Sequence, residues 1–293
     1  MPNWLSQPSF AYLFHGQQHL GKKLFATEFI QNLLNIDNTR FDLHPDIITF
    51  LPEEGKKEIS VKSIREKKIK LFQPPQIAPY LIAYLPYLDL LNQEGFNALL
   101  KIIEEPIPNT VFITVASNLN KIPATVLSRL VSVKFNKVSN QDIYQALIAK
   151  KYNKQEAQKI TQQANGLPGI AFSTKLQELF LNYQNFSEQL LSAVSLSQRI
   201  DILQKINSFC AEQKNESQAW KDFLSVFRHN LQLNFSKLGY LALIWGQGIT
   251  DAEKVINTAI QPRLILEATS VNIEQNHLPK ITFYSKLFPL TLS

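Results

Sequence analysis

The sequence predicts an α/β domain with a parallel sheet and flanking helices, followed by a region built from helices alone. Over the first half of the chain, short runs of apolar and β-branched residues alternate with helical stretches, which is the pattern of βαβ units. From about Ser173 to the end, apolar residues recur only at helical spacing. With 293 residues, of which 45% are hydrophobic and 18% charged, the chain is long enough for two or three globular domains.

The first predicted strand leads into a glycine-flanked loop and then a helix. The strand covers Ala11–His15, and the amphipathic helix is predicted from Leu24, Phe25, Phe29, Ile30 and Leu33. Between them, Gly16, Gly21 and Lys22 have the G-x-x-x-x-G-K spacing of a P-loop. In such a loop, backbone N–H groups and the lysine hold phosphates, so a nucleotide-binding loop is one interpretation.

The residue after Lys22 argues against a working P-loop. That position carries Ser or Thr in a working loop, where its hydroxyl holds Mg²⁺, but here it is Lys23, whose ammonium repels a cation. Gln17, Gln18 and His19 are also bulky for a loop that wraps phosphate tightly. We therefore predict a vestigial strand-to-helix turn, with anion binding by Lys22 and the helix N-terminus as the alternative.

A basic helix is predicted after Ser60, which is a suitable N-cap. Its cations are Lys62, Arg65, Lys67, Lys68 and Lys70, and its apolar residues are Val61, Ile64, Ile69 and Leu71. We expect a solvated outer face, with a DNA-facing or partner-facing patch as the alternative.

A central βαβ unit has predicted strands at Tyr80–Leu85 and Thr110–Val115. The helix between them begins after Asn92, a good N-cap, and stops at Pro106. Asn118, just after the second strand, is expected to cap a turn.

The remainder of the chain is predicted to be helical. Two helices are expected at Gln141–Lys150 and Lys154–Ala164. Further apolar stripes at helical spacing follow, namely Leu176, Leu179, Phe180 and Tyr183; Ile200, Leu203 and Ile206; Trp220, Phe223, Leu224 and Phe227; and Leu238, Leu241, Ala242 and Ile244. Stripes of this kind face a core in most proteins.

Charge and cysteine content limit the possible classes. The net charge of +6 permits an anionic partner such as DNA but does not require one. The single cysteine, Cys210, allows neither an internal disulfide nor a cysteine-based metal site and is expected to be a buried small hydrophobe. We find no signal-peptide pattern at the N-terminus and no run near the roughly 18 apolar residues that span a bilayer. We expect a soluble, cytoplasmic protein.

Three segments carry the most specific signal, namely NALLKIIEEP (residues 97–106), NTVFITVASN (residues 109–118) and IPATVLSRL (residues 122–130). Together they resemble the clamp-loader branch of the AAA+ ATPases. The resemblance implies an AAA+ α/β core domain over residues 1–136 and a small helical lid over residues 137–174. It also implies an all-α collar over residues 175–293, which holds the subunits of the family in a ring.

The resemblance further implies that this chain has lost ATP hydrolysis. In active relatives the strand at Tyr80–Leu85 displays acidic residues that hold Mg²⁺ and polarise water, but here Pro86 and Tyr87 follow the strand. Asp89 corresponds to a residue of the following turn and not to the metal ligand. Active relatives also place an arginine where this chain has Gly169. We expect no intrinsic ATPase activity.

Cofactors are not expected either. In the family, ATP is bound by neighbouring subunits, and a zinc module with four cysteines often follows the first helix. The corresponding segment, Asn35–His44, contains no cysteine, so the module is missing and no metal site is predicted.

Arg129 is the residue that the resemblance singles out. In the family, the arginine of a Ser-Arg-Cys motif projects across a subunit interface and acts on the γ-phosphate held by a neighbour. Here the motif is Ser128-Arg129-Leu130. A guanidinium neutralises charge that develops on a transferred phosphoryl group, so an arginine finger acting in trans is predicted. A structural ion pair is the alternative.

The resemblance implies a non-hydrolysing subunit of the bacterial DNA polymerase III clamp loader, which is part of a polymerase holoenzyme. The implied partners are motor subunits of the gamma/tau type, a clamp-opening subunit of the delta type and, through the assembly, the sliding clamp and primed DNA. No membrane partner is expected. Two alternatives stay open: a P-loop ATPase that uses Lys22 with unusual metal ligation, and a DNA-binding adaptor that uses the helix from Lys62 to Lys70.

Overall fold

The structure is a computed structural model that describes residues 10–36, 41, 43–53, 56, 58–105, 107–256, 258 and 260–275. It divides into two compact units, residues 1–172 and residues 173–293. The segment predicted as a separate lid therefore lies mostly within the first unit, where the backbone N–H of Gly169 donates to the carbonyl of His19 at 2.7 Å. The boundary at residues 136 and 137 stays a prediction.

The first unit contains a five-stranded sheet. Its strands are β1 (Ala11–His15), β2 (Ile47–Thr49), β3 (Leu81–Leu85), β4 (Thr110–Ala116) and β5 (Val131–Lys134). Their order is β2-β3-β4-β1-β5, and every neighbouring pair is parallel. The predicted α/β class with a parallel sheet is confirmed.

Helices connect the strands and continue beyond the last one. They are α1 (Lys22–Leu34), α2 (Val61–Leu71), α3 (Gln93–Glu104), α4 (Ala124–Leu127), α5 (Asn140–Ala149), α6 (Lys154–Ala164) and α7 (Pro168–Ala171). Predicted caps are present: Ser60 Oγ accepts the N–H of Ser63 at 3.2 Å, and Asn92 Oδ1 accepts that of Gly95 at 2.8 Å. The predicted stop at Pro106 lies outside the described residues.

The sheet is buried on both faces, which explains why its strands are continuous apolar runs and not alternating ones. Successive side chains of a strand point to opposite faces. Leu13 and Phe112 thus belong to one core, together with residues of α2 and α3. Phe14 and Ile113 belong to the other core, together with residues of α1. The buried hydroxyl of Thr114 is satisfied by donating to the carbonyl of Tyr12 at 2.8 Å.

A buried carboxylate fixes the segment that precedes β3. Asp46 is fully buried, and its oxygens accept the backbone N–H groups of Gln76, Ile77 and Ala78 at 2.6, 2.8 and 2.9 Å. Burial acts to raise the pKa of Asp46, but these hydrogen bonds and the nearby His44 hold it below its ordinary value. The sequence analysis assigned no role to Asp46, so this anchoring role was missed.

The second unit is helical throughout its described residues. Its elements are α8 (Thr174–Ser192), α9 (Leu196–Ala211), α10 (Glu216–Leu233), α11 (Phe235–Leu238), α12 (Tyr240–Val255) and α13 (Pro262–Gln275). Aromatic side chains from the predicted stripes, including Tyr183, Trp220, Phe223 and Phe227, are buried in its core. Cys210 is also buried, as predicted, and burial raises the pKa of its thiol to about 12.

Two helix faces differ from the prediction. Leu24 was assigned to the buried side of α1, but it is 67% exposed, because Ala26, Phe29 and Ile30 define the face that packs on the sheet. In α2, Ile69 is 71% exposed, so the apolar face of this helix is narrower than predicted.

Candidate functional site

The predicted phosphate loop is present as a strand–loop–helix, but its lysine is occupied by the loop itself. Lys22 is only 5% exposed, and its Nζ donates to the carbonyl of Gln17 at 2.5 Å. Burial lowers the pKa of Lys22 to about 8. The nearby charge of Lys23 also lowers this pKa, whereas the charge of Asp89 raises it. This ammonium therefore stabilises the backbone of the loop. In a working P-loop, the lysine would instead contact a phosphate.

Both glycines of the loop have positive φ angles, as the predicted turn requires. Gly16 has φ 144°, and a Cβ there would lie 2.4 Å from the carbonyl oxygen of Phe135. Gly21 has φ 80° and precedes the first residue of α1. The two glycines shape a tight connection between β1 and α1, and this role does not depend on a bound phosphate.

The position that would hold Mg²⁺ is covered by a cation–π pair. Lys23 replaces the Ser or Thr of a P-loop, and Tyr87 follows β3, where the resemblance places acidic residues. Lys23 Nζ lies 3.5 Å from the centroid of the Tyr87 ring. Two substitutions that the sequence showed separately are thus in direct contact, at positions where the resemblance expects a hydroxyl and a carboxylate for Mg²⁺.

The segment predicted as a lid packs against the same loop through Gly169. Gly169, at the position where active relatives carry arginine, donates its backbone N–H to His19, which itself has a positive φ of 63°. A Cβ on Gly169 would lie 2.8 Å from the carbonyl oxygen of His19 and 3.1 Å from its Cα. This backbone contact excludes any larger side chain at residue 169 unless the loop or the lid moves.

Asp89 is used to cap the end of β4. Its Oδ2 accepts the backbone N–H groups of Ser117 and Asn118 at 3.1 and 2.9 Å. Asn118 in turn accepts the N–H of Asn120 at 3.0 Å, which confirms its predicted capping role. The carboxylate of Asp89 therefore stabilises the turn that follows β4.

Arg129 lies away from the loop, just before β5, and contacts α3 and α4. Its side chain is 38% exposed, and Nη2 forms an ion pair with Glu104 at 2.8 Å. Nη1 donates to the carbonyl of Thr125 at 2.7 Å and to Ser128 Oγ at 3.5 Å. Ser128 Oγ also donates to the Thr125 carbonyl at 3.0 Å. The ion pair that the sequence left open as an alternative is present, and the guanidinium is still accessible.

The predicted site residues thus form two separate groups. Gly16, Gly21 and Lys22 share the closed loop, whereas Ser128 and Arg129 share the end of α4. Glu104 is a participant that sequence reasoning missed, and so is the contact of Tyr87 with Lys23. For Glu104 a signal existed, because it is one of the two acidic residues at the end of the NALLKIIEEP segment.

The basic face of α2 is smaller than predicted. Lys67 is turned inward, and its Nζ donates to the carbonyl of Thr49 at 2.6 Å. Lys62 lies 3.8 Å from Glu66. Arg65 and Lys68 line a groove of about 370 Å³ between α2 and α3, which Lys101, Glu94, Asn97 and Ala98 also line. The cations that face this groove come from both helices.

Within the described part of the chain, no group of three or more His, Cys, Asp or Glu side chains is arranged to hold a metal ion. Over the same residues, no helix combines the length and the apolar composition that crossing a membrane requires.

Comparison with known proteins finds relatives of the first unit among DNA polymerase III subunits. A family model described as "DNA polymerase III, delta subunit" matches residues 6–139. The delta' subunit of DNA polymerase III from Buchnera aphidicola subsp. Baizongia pistaciae is 30% identical, over 56% of this chain and 51% of its own length. The delta' subunit from Pseudomonas aeruginosa is 27% identical, over 43% of either chain.

Further matches are of the gamma type. The gamma subunit of DNA polymerase III from Buchnera aphidicola subsp. Schizaphis graminum is 28% identical, over 49% of this chain and 42% of its own length. Among solved structures, a gamma subunit-related protein from Thermotoga maritima has a TM-score of 0.49 and 13% identity, and the match covers 93% of this chain and 97% of that one.

The match to the curated relatives is partial on both sides. This chain spans less than half the length of the first ones it matches, namely 42%, 25% and 43%. The range that the family model matches includes the three sequence segments and all five strands of the parallel sheet. Residues 6–139 are thus similar to DNA polymerase III subunits of the delta type, and the delta' relatives support the clamp-loader interpretation.

Proposed function

We propose that this protein is a delta-prime-like subunit of a bacterial DNA polymerase III clamp loader that does not hydrolyse ATP itself. It assembles with motor subunits of the gamma/tau type and a clamp-opening subunit of the delta type. The assembly then loads the sliding clamp onto primed DNA. The helical second unit serves as the collar that joins the ring, and the complex works in the cytoplasm.

One observation carries this proposal, namely that Lys22 donates to the backbone of its own loop at Gln17. A lysine held in this way must release the Gln17 carbonyl before it can contact a phosphate. The Lys23–Tyr87 pair and the contact between Gly169 and His19 add support, because they occupy two further positions that ATP and Mg²⁺ need. ATP bound by the neighbouring subunits is the nucleotide that the complex uses.

Arg129 is the residue that we assign to the neighbour's reaction. Its side chain is partly exposed, and it contacts Glu104, Thr125 and Ser128. An accessible guanidinium can stabilise charge on the γ-phosphate of ATP held by an adjacent subunit. Ser128 supports this arginine through the shared Thr125 carbonyl.

The experiment is a reconstitution with the cognate motor and clamp-opening subunits, the clamp and primed DNA. The ATPase rate is measured without this chain, with it, and for this chain alone. We expect the chain alone to be inactive and the complete mixture to hydrolyse ATP faster than the mixture without it. Hydrolysis by the isolated chain would instead establish the rival function of a P-loop ATPase that uses Lys22.

A second candidate function is that of a DNA-binding adaptor, and the groove between α2 and α3 favours it. Arg65, Lys68 and Lys101 face one groove, where a phosphate backbone could neutralise them. Binding of the isolated chain to duplex DNA should then weaken steeply with salt, and Lys101→Gln should reduce the slope by about one. Salt-independent or absent binding would exclude this candidate.

A further inference from the structure

We propose that Glu104 is a positioning residue for Arg129, which holds the guanidinium at the subunit surface before a neighbour docks. This inference rests on the proposed arginine finger and goes beyond it, because it assigns a role to a residue of α3. The observation is the 2.8 Å ion pair between Glu104 Oε1 and Arg129 Nη2.

The guanidinium is fixed from two elements. Glu104 is the last residue of α3, whereas Thr125 and Ser128 belong to the short helix α4 and its C-cap. The carbonyl of Thr125 holds Nη1 at 2.7 Å while the Glu104 carboxylate lies beside Nη2. A planar guanidinium that is held at two of its nitrogens has little freedom to rotate.

This arrangement leaves donors available for a phosphate. Arginine has five N–H donors, and within the described residues its contacts involve Nη1, with Thr125 and Ser128, and Nη2, with Glu104. Nε–H and the N–H groups of Nη1 and Nη2 that these contacts leave over can meet the phosphate oxygens of a docked neighbour. Glu104 restrains the side chain through its charge and its 2.8 Å contact with Nη2.

The ion pair is poorly explained as a stabilising feature of the fold. The Glu104 and Arg129 side chains are 49% and 38% exposed, and exposed ion pairs add little stability. A carboxylate at the C-terminal end of a helix is also unfavourable with respect to the helix dipole. Ordering a flexible arginine before docking, however, removes part of the entropic cost that docking would otherwise carry.

Glu105 offers a matched control. It is the C-cap of the same helix and is exposed, and no ion pair involves it within the described part of the chain. Replacing either glutamate with alanine removes one negative charge from the same helix end. The two variants differ only in the contact with Arg129.

The test is a double-mutant cycle in the reconstituted complex, with the rate constant for ATP hydrolysis at the neighbour's site as readout. We expect Arg129→Ala to lower this rate constant at least tenfold and Glu104→Ala to lower it about three- to tenfold. Glu105→Ala should leave it unchanged within about twofold. In the Arg129→Ala background, Glu104→Ala should have no further effect, because Glu104 acts only through Arg129.

The outcomes separate this inference from the function on which it rests. If Arg129→Ala lowers the rate but Glu104→Ala does not, or raises it, Glu104 is no positioning residue and the arginine finger stands. If Glu104→Ala lowers the rate equally in both backgrounds, its role is structural and the inference is wrong. If Arg129→Ala has no effect, the finger and this inference both fail. Thermal unfolding of each variant, together with the milder Glu104→Gln, checks that folding is intact.

Discussion

At the scale of single residues, the absence of a side chain at Gly169 allows close packing against the loop that connects β1 to α1. The backbone of His19 lies so close to residue 169 that a Cβ would be 2.8 Å from its carbonyl oxygen. Contacts this short force a shift of one backbone segment, which costs stability. Gly169 therefore does more than remove an arginine from this position. It allows the backbone of the predicted lid segment to pack directly against the loop.

We predict that Gly169→Ala loosens this contact and destabilises the first unit by about 1–3 kcal/mol. Hydrogen exchange should become faster in peptides that cover residues 16–25 and 165–172. Gly246→Ala is the control, since a Cβ there would meet only Leu231 at an ordinary 3.9 Å. Unchanged exchange around the loop in Gly169→Ala would contradict the account.

Asp46 gives a prediction about pH. Its folded-state pKa lies below its ordinary value, so the carboxylate stabilises the fold at neutral pH. This stability is lost as pH falls through the folded-state pKa, because the unfolded chain takes up the proton first. Asp46→Asn should cost about 2–3 kcal/mol at pH 7, and the difference from wild type should shrink on acidification towards pH 3.

Urea unfolding of both proteins at several pH values measures this effect. The exposed Asp201 of α9 provides a control, since Asp201→Asn should have little effect at any pH. A constant difference between wild type and Asp46→Asn from pH 7 to pH 3 would show that the carboxylate has an ordinary pKa.

At the scale of elements, the strand–loop–helix at the start of the first unit was predictable, whereas the way it is closed was not. The apolar run of β1 and the two glycines identify the connection. The contacts between Lys22 and Gln17, Lys23 and Tyr87, and Gly169 and His19 join residues far apart in the chain or depend on loop geometry. Spacing alone contains no information about such contacts.

Restoring one motif residue should not restore the activity of the loop. We predict that Lys23→Thr leaves ATP binding and hydrolysis by the isolated chain at background, because Lys22 is still held by Gln17 and Tyr87 still replaces an acid. The variant loses a cation–π contact worth about 0.5–1 kcal/mol. A nucleotide titration measures ATP binding by the variant, and a coupled ATPase assay measures its hydrolysis of ATP.

The outcome that would contradict this account is magnesium-dependent ATP hydrolysis by Lys23→Thr. It would mean that Lys23 alone had disabled an otherwise working site. The wild-type chain, assayed in parallel, is the control for a contaminating ATPase.

The helical faces show where sequence patterns reach their limit. The caps at Ser60 and Asn92 follow from local hydrogen bonding, and the structure has both. Lys67 and Leu24 were placed on the wrong face, because period alone does not specify where the neighbouring elements end. The long aliphatic stem of Lys67 lets it reach the Thr49 carbonyl from a face that looks solvated in the sequence.

At the scale of the whole molecule, the two units differ in how well the sequence describes them. In the first unit, specific segments identified a family, and residues 6–139 match that family. In the second unit, the burial of Trp220 and Phe227 followed from helical period, but the buried Trp245 and Ile249 were missed. Helical patterns determine which residues are buried without identifying what the exposed faces bind.

The role proposed for Arg129 can be seen only in the assembly, because it acts on ATP that a neighbouring subunit holds. The sequence predicted the residue, and the structure adds its ion pair with Glu104 and its partial exposure. An ion pair is the alternative to a finger in the sequence analysis, but the two are compatible. A half-exposed arginine can exchange its carboxylate partner for a phosphate at little cost in free energy.

The most direct measurement is the ATPase rate of the reconstituted clamp loader on primed DNA, with wild-type chain, Arg129→Ala and Arg129→Lys at matched assembly. We predict a loss of at least tenfold for alanine and an intermediate rate for lysine, which keeps the charge but loses the planar fork. Equal rates for all three assemblies would contradict the central claim and would leave this chain as a structural component only.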